Sequence, residues 1–187
     1  AGGGRAAVQL PLVGDFNGNG HADILWYGPG PSPDVLWYGK TDGAFSGSAV
    51  NVAGTYEPLL GDFNGDGEND IFWYGPGAAK DVLWYGKASG GFSGRAVTVH
   101  GYYQPLVADF NGDGKRDILW YGPGGGYDVL WLGRATGDGS LSSSALRACR
   151  PSAADRTAIP ACLSVSRTRK QICGSSSITS TSGVHFR

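Results

Sequence analysis

The nine residues from Asp62 to Asp70, reading DFNGDGEND, constrain this chain more than any other stretch. Oxygen-bearing side chains stand at the first, third, fifth and ninth positions: Asp62, Asn64, Asp66 and Asp70. Gly65 and Gly67 lie between them and permit the positive φ angles of a tightly wound loop. The loop occurs twice more, as Asp15 to Asp23 (DFNGNGHAD) and Asp109 to Asp117 (DFNGDGKRD), with first residues 47 apart in both intervals. A fixed period of about 20–50 residues marks a repeat architecture, in which one small unit stacks on the next.

Oxygens at alternate positions of a wound loop suit a hard cation. Ca²⁺ takes six to eight oxygens at about 2.3–2.6 Å, from carboxylates, amides, backbone carbonyls and water. The seventh residue can contribute its carbonyl, which leaves its side chain free to vary, and it does vary: His21, Glu68, Lys115. The candidate ligands of up to three Ca²⁺ ions, one per repeat, are therefore Asp15, Asn17, Asn19, His21 and Asp23 in the first loop. In the second they are Asp62, Asn64, Asp66, Glu68 and Asp70, and in the third Asp109, Asn111, Asp113, Lys115 and Asp117. Carboxylates crowded this way repel one another unless a cation joins them. One such loop alone could be an Asn/Asp/Gly turn that binds nothing. A turn needs only one or two of these residues, whereas all three copies keep four. An EF-hand is excluded, because its twelfth position is a bidentate Glu and helices flank it. Here the twelfth position is Trp26, Trp73 or Trp120, inside the strand-like runs DILWYG, DIFWYG and DILWYG.

Each repeat follows one course. In the second, Pro58 to Gly61 leads in as a strand, the loop follows, and Ile71 to Tyr74 forms a second strand. Asp81 to Tyr85 nearly repeats it across a Gly-Pro-Gly turn, giving a hairpin, and Ala96 to Val99 reads as a fourth strand. With 33 glycines, 10 prolines and 12% aromatic residues, the composition agrees with many short strands joined by turns. The expected fold is all-β: three four-stranded antiparallel blades of a β-propeller, an incomplete ring, with an irregular C-terminal tail. The divisions are an N-terminal segment 1–10, whose Ala7 to Leu10 resembles the end of a preceding blade, then repeats at 11–57, 58–104 and 105–146, and a tail at 147–187.

With GDFNGDGxxDIxWYG recurring at this period, residues 8–146 resemble the FG-GAP/VCBS repeats of integrin α-chain-type propellers and many secreted bacterial proteins. The resemblance implies a seven-bladed propeller with Ca²⁺ in its loops, serving adhesion, carbohydrate binding or a larger secreted enzyme. Only the loop positions named above carry over. Three blades cannot close a ring. The chain is then either a fragment or an open arc whose exposed edges invite self-association.

Charge is uneven. Residues 1–146 hold 8 Lys/Arg against 15 Asp/Glu, a net of −7, and residues 147–187 hold 7 against 1, a net of +6. The repeats thus offer no basic surface for nucleic acid. No apolar run is long enough to span a membrane, and no methionine is present, so the chain is expected to be soluble, secreted, and processed or cut from something longer. Two tryptophans per repeat (Trp26 and Trp37, Trp73 and Trp84, Trp120 and Trp131) suit packing between blades, or stacking on sugars. His21, His100 and His185 form no repeated pair, and no nucleophile elbow, zinc helix or phosphate loop appears, so no enzyme is expected. Identical carboxylates in every blade suit structural metals better than one active site. The partner expected is a protein or carbohydrate surface. Residues 147–187 contain no further loop; Cys149, Cys162 and Cys173 lie there in no zinc spacing. A disordered tail, a disulfide-bonded cap and a shifted reading frame are all compatible with that segment.

Overall fold

Runs such as Asp-Ile-Leu-Trp-Tyr and Asp-Val-Leu-Trp-Tyr combine β-branched and aromatic residues and end at glycine, and they form strands. The computed structural model describes residues 8–123, 128–135 and 141–146. The first blade contains β1 (Leu10–Gly14), β2 (Asp23–Tyr27), β3 (Asp34–Gly39) and β4 (Phe45–Val50). The second contains β5 (Glu57–Gly61), β6 (Asp70–Tyr74), β7 (Asp81–Gly86) and β8 (Phe92–Val97). The third contains β9 (Gln104–Ala108), β10 (Asp117–Tyr121), β11 (Asp128–Leu132) and β12 (Ser142–Leu146). Each blade is a four-stranded sheet in chain order, antiparallel at every pairing. The protein is all-β in its described residues, and the three sheets do not close into a ring.

The register is the same in all three. Gly14 faces Asp23, Gly61 faces Asp70, and Ala108 faces Asp117, so each wound loop bridges the first two strands of its blade. The fourth strand starts earlier than its sequence suggests, at Phe92 and not Ala96, and it ends at Val97. Phe92 stacks on Trp84 with ring centroids 5.3 Å apart, which anchors the strand start. Val99 leaves the ladder because its N–H donates to Asp81 Oδ2 at 2.7 Å. Leu10 opens β1 opposite Tyr27, one residue ahead of the repeat boundary drawn from the sequence. The expectations for residues 1–7 and for the tail 147–187 fall outside the described residues.

The core lies between blades. Leu12, Phe16, Leu25, Tyr27 and Leu36 of the first blade pack with Ile71 and Trp73 of the second. The same positions one repeat on (Leu59, Phe63, Phe72, Tyr74, Leu83) pack with Ile118 and Trp120. Tyr27 also fastens the connection between blades: its hydroxyl donates to Gly54 O at 3.0 Å and accepts from Tyr56 N at 2.8 Å. Tyr74 repeats this with Gly101 and Tyr103 at 3.1 and 2.9 Å. Both hydroxyl pKa values are raised, chiefly by burial. Of strands in different blades, β1 approaches β5 and β5 approaches β9, which sets the first strands side by side.

Candidate metal loops and the junction between blades

Each loop is wound by its own side chains. At the first position, Asp15 accepts from Asn19 N and Gly20 N at 3.1 and 2.7 Å. Asp62 accepts from Gly65 N and Gly67 N, and Asp109 from Gly112 N, Asp113 N and Gly114 N. The third residue then accepts from the fifth: Asn17 from Asn19 N, Asn64 from Asp66 N, Asn111 from Asp113 N, at 3.2, 2.9 and 2.9 Å. The fifth accepts from the seventh, with His21, Glu68 and Lys115 donating their N–H at 2.8, 3.0 and 3.0 Å. Such consecutive side-chain-to-backbone turns draw positions one, three and five onto one tight coil. Gly65 at φ 78° and Gly67 at φ 96° supply the left-handed backbone it needs.

The ninth residue behaves differently. Asp23, Asp70 and Asp117 are fully buried, and both oxygens of each accept from backbone amides. Asp70 Oδ2 accepts from Phe63 N at 2.9 Å and Oδ1 from Gly86 N at 3.1 Å. Asp23 holds Phe16 N and Gly39 N, and Asp117 holds Phe110 N and Gly133 N, in the same way. The ninth carboxylate is thus a latch tying the loop to the end of the third strand. Burial pushes the Asp70 carboxyl up to about 8, against the pull of its two amides. It raises Asp23 and Asp117 as well.

Electrostatics separates the three coils. Glu68 is raised, first by its hydrogen bond with the Asp66 side chain, which places the two acids side by side. Asp109 and Asp113 are lowered, each mainly by a loop amide, from Gly114 and Lys115 respectively. Lys115 Nζ also stands 3.4 Å from Asp113 Oδ2. Among the described residues no three His, Cys, Asp or Glu side chains gather closely enough to hold a metal by themselves. The coils therefore present a mixed set of carboxylate and amide oxygens. Those donors fit a hard cation and suit a soft one poorly. The ninth carboxylate keeps spare lone pairs beside its two amide bonds.

Adjacent loops are bonded to one another. Asn69 N, at the eighth position of the second loop, donates to Asp15 O at 2.6 Å, and Asn69 Oδ1 accepts from Asp15 N at 2.8 Å. One blade on, Arg116 N donates to Asp62 O at 2.8 Å and Arg134 N to Phe63 O at 3.0 Å. The structure also reveals a second latch to which the sequence reading assigned no role. Asp34, Asp81 and Asp128, again 47 apart, open the third strands and are buried. Asp34 accepts from Gly28 N and Val52 N at 2.7 Å each, and Asp81 from Gly75 N and Val99 N at 2.8 and 2.7 Å. They brace the edge opposite the wound loops, and their period was the signal available to find them.

Stacked four-stranded antiparallel sheets, each carrying an aspartate-rich coil between its first two strands, define a β-propeller-like repeat protein. The FG-GAP-like repeat profile matches residues 15–73 and 62–120, and the FG-GAP repeat profile matches residues 101–142; the chain belongs to the FG-GAP repeat family. No curated protein sequence matches it. Repeats of this family typically occur in extracellular proteins and imply a binding module. No helix among the described residues is long and apolar enough to cross a membrane.

Proposed function

We propose that this segment is a calcium-stabilised propeller module with a structural or adhesive role outside the cell, where it presents its blades to a protein or carbohydrate surface. The observation that carries the calcium reading is the threefold recurrence of one coil, with acidic side chains pressed together in the second. Asp66 and Glu68 there stand close together, and a divalent cation would offset the repulsion between them. The residues that would hold Ca²⁺ are those at positions one, three and five, with the seventh carbonyl and, through its spare lone pairs, the ninth carboxylate. The ion would supply positive charge to a coil otherwise held only by its own amides. Because the eighth residue of one loop bonds the first residue of the preceding one, filling a loop would also stiffen a blade junction. Nothing in this reading requires a catalytic role.

Extracellular modules bind Ca²⁺ with dissociation constants of about 10⁻⁴–10⁻³ M. At roughly 1 mM free Ca²⁺ that stabilises the fold by about 0.4–1.4 kcal/mol per site. Excess chelator is therefore expected to lower the melting temperature, and calorimetry to detect Ca²⁺ uptake. An unchanged melting curve together with no heat of binding removes calcium from the account. A glycan array run with and without Ca²⁺ separates a carbohydrate partner from a protein one.

A further inference from the structure

Asparagine followed by glycine occurs four times in the chain, always in a wound loop: Asn17-Gly18, Asn19-Gly20, Asn64-Gly65 and Asn111-Gly112. This dipeptide has a chemistry of its own. The glycine nitrogen, on losing its proton, can attack the asparagine Cγ, because glycine has no side chain to hinder the approach. The Cγ–Nδ2 bond breaks, ammonia leaves carrying the proton, and a five-membered imide remains. Water then opens the ring at one of its two carbonyl carbons, giving aspartate or, with the chain rerouted through Cγ, isoaspartate. Ring closure needs a glycine N–H that gives up its proton and a side-chain amide that can turn toward it.

In three of the four pairs both groups are tied. Gly65 N donates to Asp62 Oδ1 at 2.5 Å, and Asn64 Nδ2 to Asp66 Oδ2 at 2.6 Å. Gly112 N donates to Asp109 Oδ1 at 2.7 Å, and Asn111 Nδ2 to Asp113 Oδ2 at 3.1 Å. Gly20 N donates to Asp15 Oδ2 at 2.7 Å, and Asn19 Nδ2 to Gly39 O at 3.4 Å. An N–H bonded to a carboxylate holds its proton more tightly, and a bonded amide turns only by breaking that bond.

Asn17-Gly18 is the exception. Asp15 Oδ1 accepts from Asn19 N and not from Gly18 N, and the fifth position offers an amide in place of a carboxylate. Among the described residues, neither Gly18 N nor Asn17 Nδ2 is hydrogen-bonded. The Asn17 side chain is held only through Oδ1, which accepts from Asn19 N at 3.2 Å. The backbone does not distinguish the coils, since φ is 66° at Gly18, 78° at Gly65 and 74° at Gly112. Charges from the next blade act the other way. A Cβ placed on Gly18 would meet Glu68 Oε1 at 3.0 Å, and one on Gly65 would meet Lys115 Cγ at 3.1 Å. An acid disfavours loss of a proton nearby and an ammonium favours it. Both side chains are partly exposed, so water screens their charges, and Lys115 is paired with Asp113. The hydrogen bonds touch the reacting atoms and decide the order.

We propose that Asn17 is a modification site: it cyclises onto Gly18 ahead of the other three pairs, so that the first coil exchanges an amide for a carboxylate with time. Opening to aspartate gives the coil a third acid beside Asp15 and Asp23. Opening to isoaspartate lengthens its backbone by one carbon and shifts the third position out of register. Neither step needs a cation in any loop.

The test incubates the full chain at mildly alkaline pH in excess chelator and follows each asparagine by peptide mass mapping. Asn17 is expected to convert about 2–10-fold faster than Asn19, Asn64 or Asn111, the factor for one retained hydrogen bond. Asn19→Asp restores a carboxylate at the fifth position, as in the other two coils, and should slow Asn17 by a similar factor. Asp66→Asn removes the acceptor from Asn64 Nδ2 and should speed Asn64. Four equal rates overturn the assignment, as does Asn19 or Asn111 converting first, the order that exposure alone would give. Rates at Asn17 and Asn64 that neither variant moves overturn it as well.

Discussion

The strands β2 and β6 differ by one residue, Asp-Ile-Leu-Trp-Tyr against Asp-Ile-Phe-Trp-Tyr, yet they live in different surroundings. In β6, the second strand of the middle blade, all five residues are buried; in β2 of the first blade, buried and half-buried residues alternate. Among the described residues, the middle blade is covered on both faces and the first on one. A strand of this repeat is therefore written for two-sided burial, and the neighbours decide whether it receives it. The same contrast appears in chemistry, since the middle latch Asp70 is pushed up to about 8 by burial.

The largest way to break the contrast is to hollow out one tryptophan position in each setting. Trp73→Ala removes a side chain 1% exposed and is expected to cost about 3–5 kcal/mol in urea unfolding. Trp120→Ala is expected to match it, because its face of the third blade is covered by the second. Trp26 faces outward on the first blade and is only half-buried, so Trp26→Ala should cost less than about 2 kcal/mol. Equal costs at all three would mean that the blades do not shield one another.

The repeat, its loops and its strand order were legible because each depends on local pattern: glycines at fixed offsets, oxygen side chains at alternate positions, β-branched and aromatic runs. The start of the fourth strand was less legible, since Phe-Ser-Gly-Arg-Ala-Val carries few apolar residues and is held by pairing with β7. The latch role of Asp23, Asp70 and Asp117 was hidden for another reason. An aspartate among others in a loop reads as a ligand, and only the fold shows that its oxygens meet the amides of Phe63 and Gly86, 7 and 16 residues away in the middle blade. The inter-blade bond from Asn69 N to Asp15 O uses backbone atoms alone and leaves no trace in residue type.

Acid titration sharpens the contrast with a smaller effect. Asp70 holds its proton more tightly folded than unfolded, because its folded pKa, about 8, lies above the ordinary 3.8. Its stabilising contribution is full below about pH 4 and is lost as pH rises through about 8. Asp23, Asp117 and Glu68 are raised and act in the same direction. Asp109 and Asp113 are lowered and titrate below this window. In excess chelator the melting temperature is therefore expected to fall between pH 5 and pH 8. Asp70→Asn, which carries no ionisable group, should flatten that slope more than Asp23→Asn does. A slope unchanged by Asp70→Asn would show that enclosure of the middle blade does not govern the titration.

The smallest expected differences lie among the three coils, and they separate charge from position in the array. The first coil offers two carboxylates, Asp15 and Asp23, because Asn19 stands where the others have Asp66 and Asp113. The third offers three, but Lys115 Nζ lies 3.4 Å from Asp113 and offsets part of its charge. The second offers three, with Glu68 beside Asp66. If ligand charge ranks the sites, the second coil binds Ca²⁺ most tightly and the first empties first as Ca²⁺ falls. Asn19→Asp should then tighten the first coil, Asp66→Asn should weaken the second, and Lys115→Gln should tighten the third by about 1.5–5-fold, the range of an exposed ion pair. If enclosure ranks them instead, the second coil leads because its blade is flanked on both sides, and neither Asn19→Asp nor Lys115→Gln moves its neighbour. Calorimetric titration of wild type and the three variants decides between these outcomes. Should Asn19→Asp leave the weakest site where it was, the contrast between middle and outer blades extends from packing to metal affinity, and charge count is not its cause.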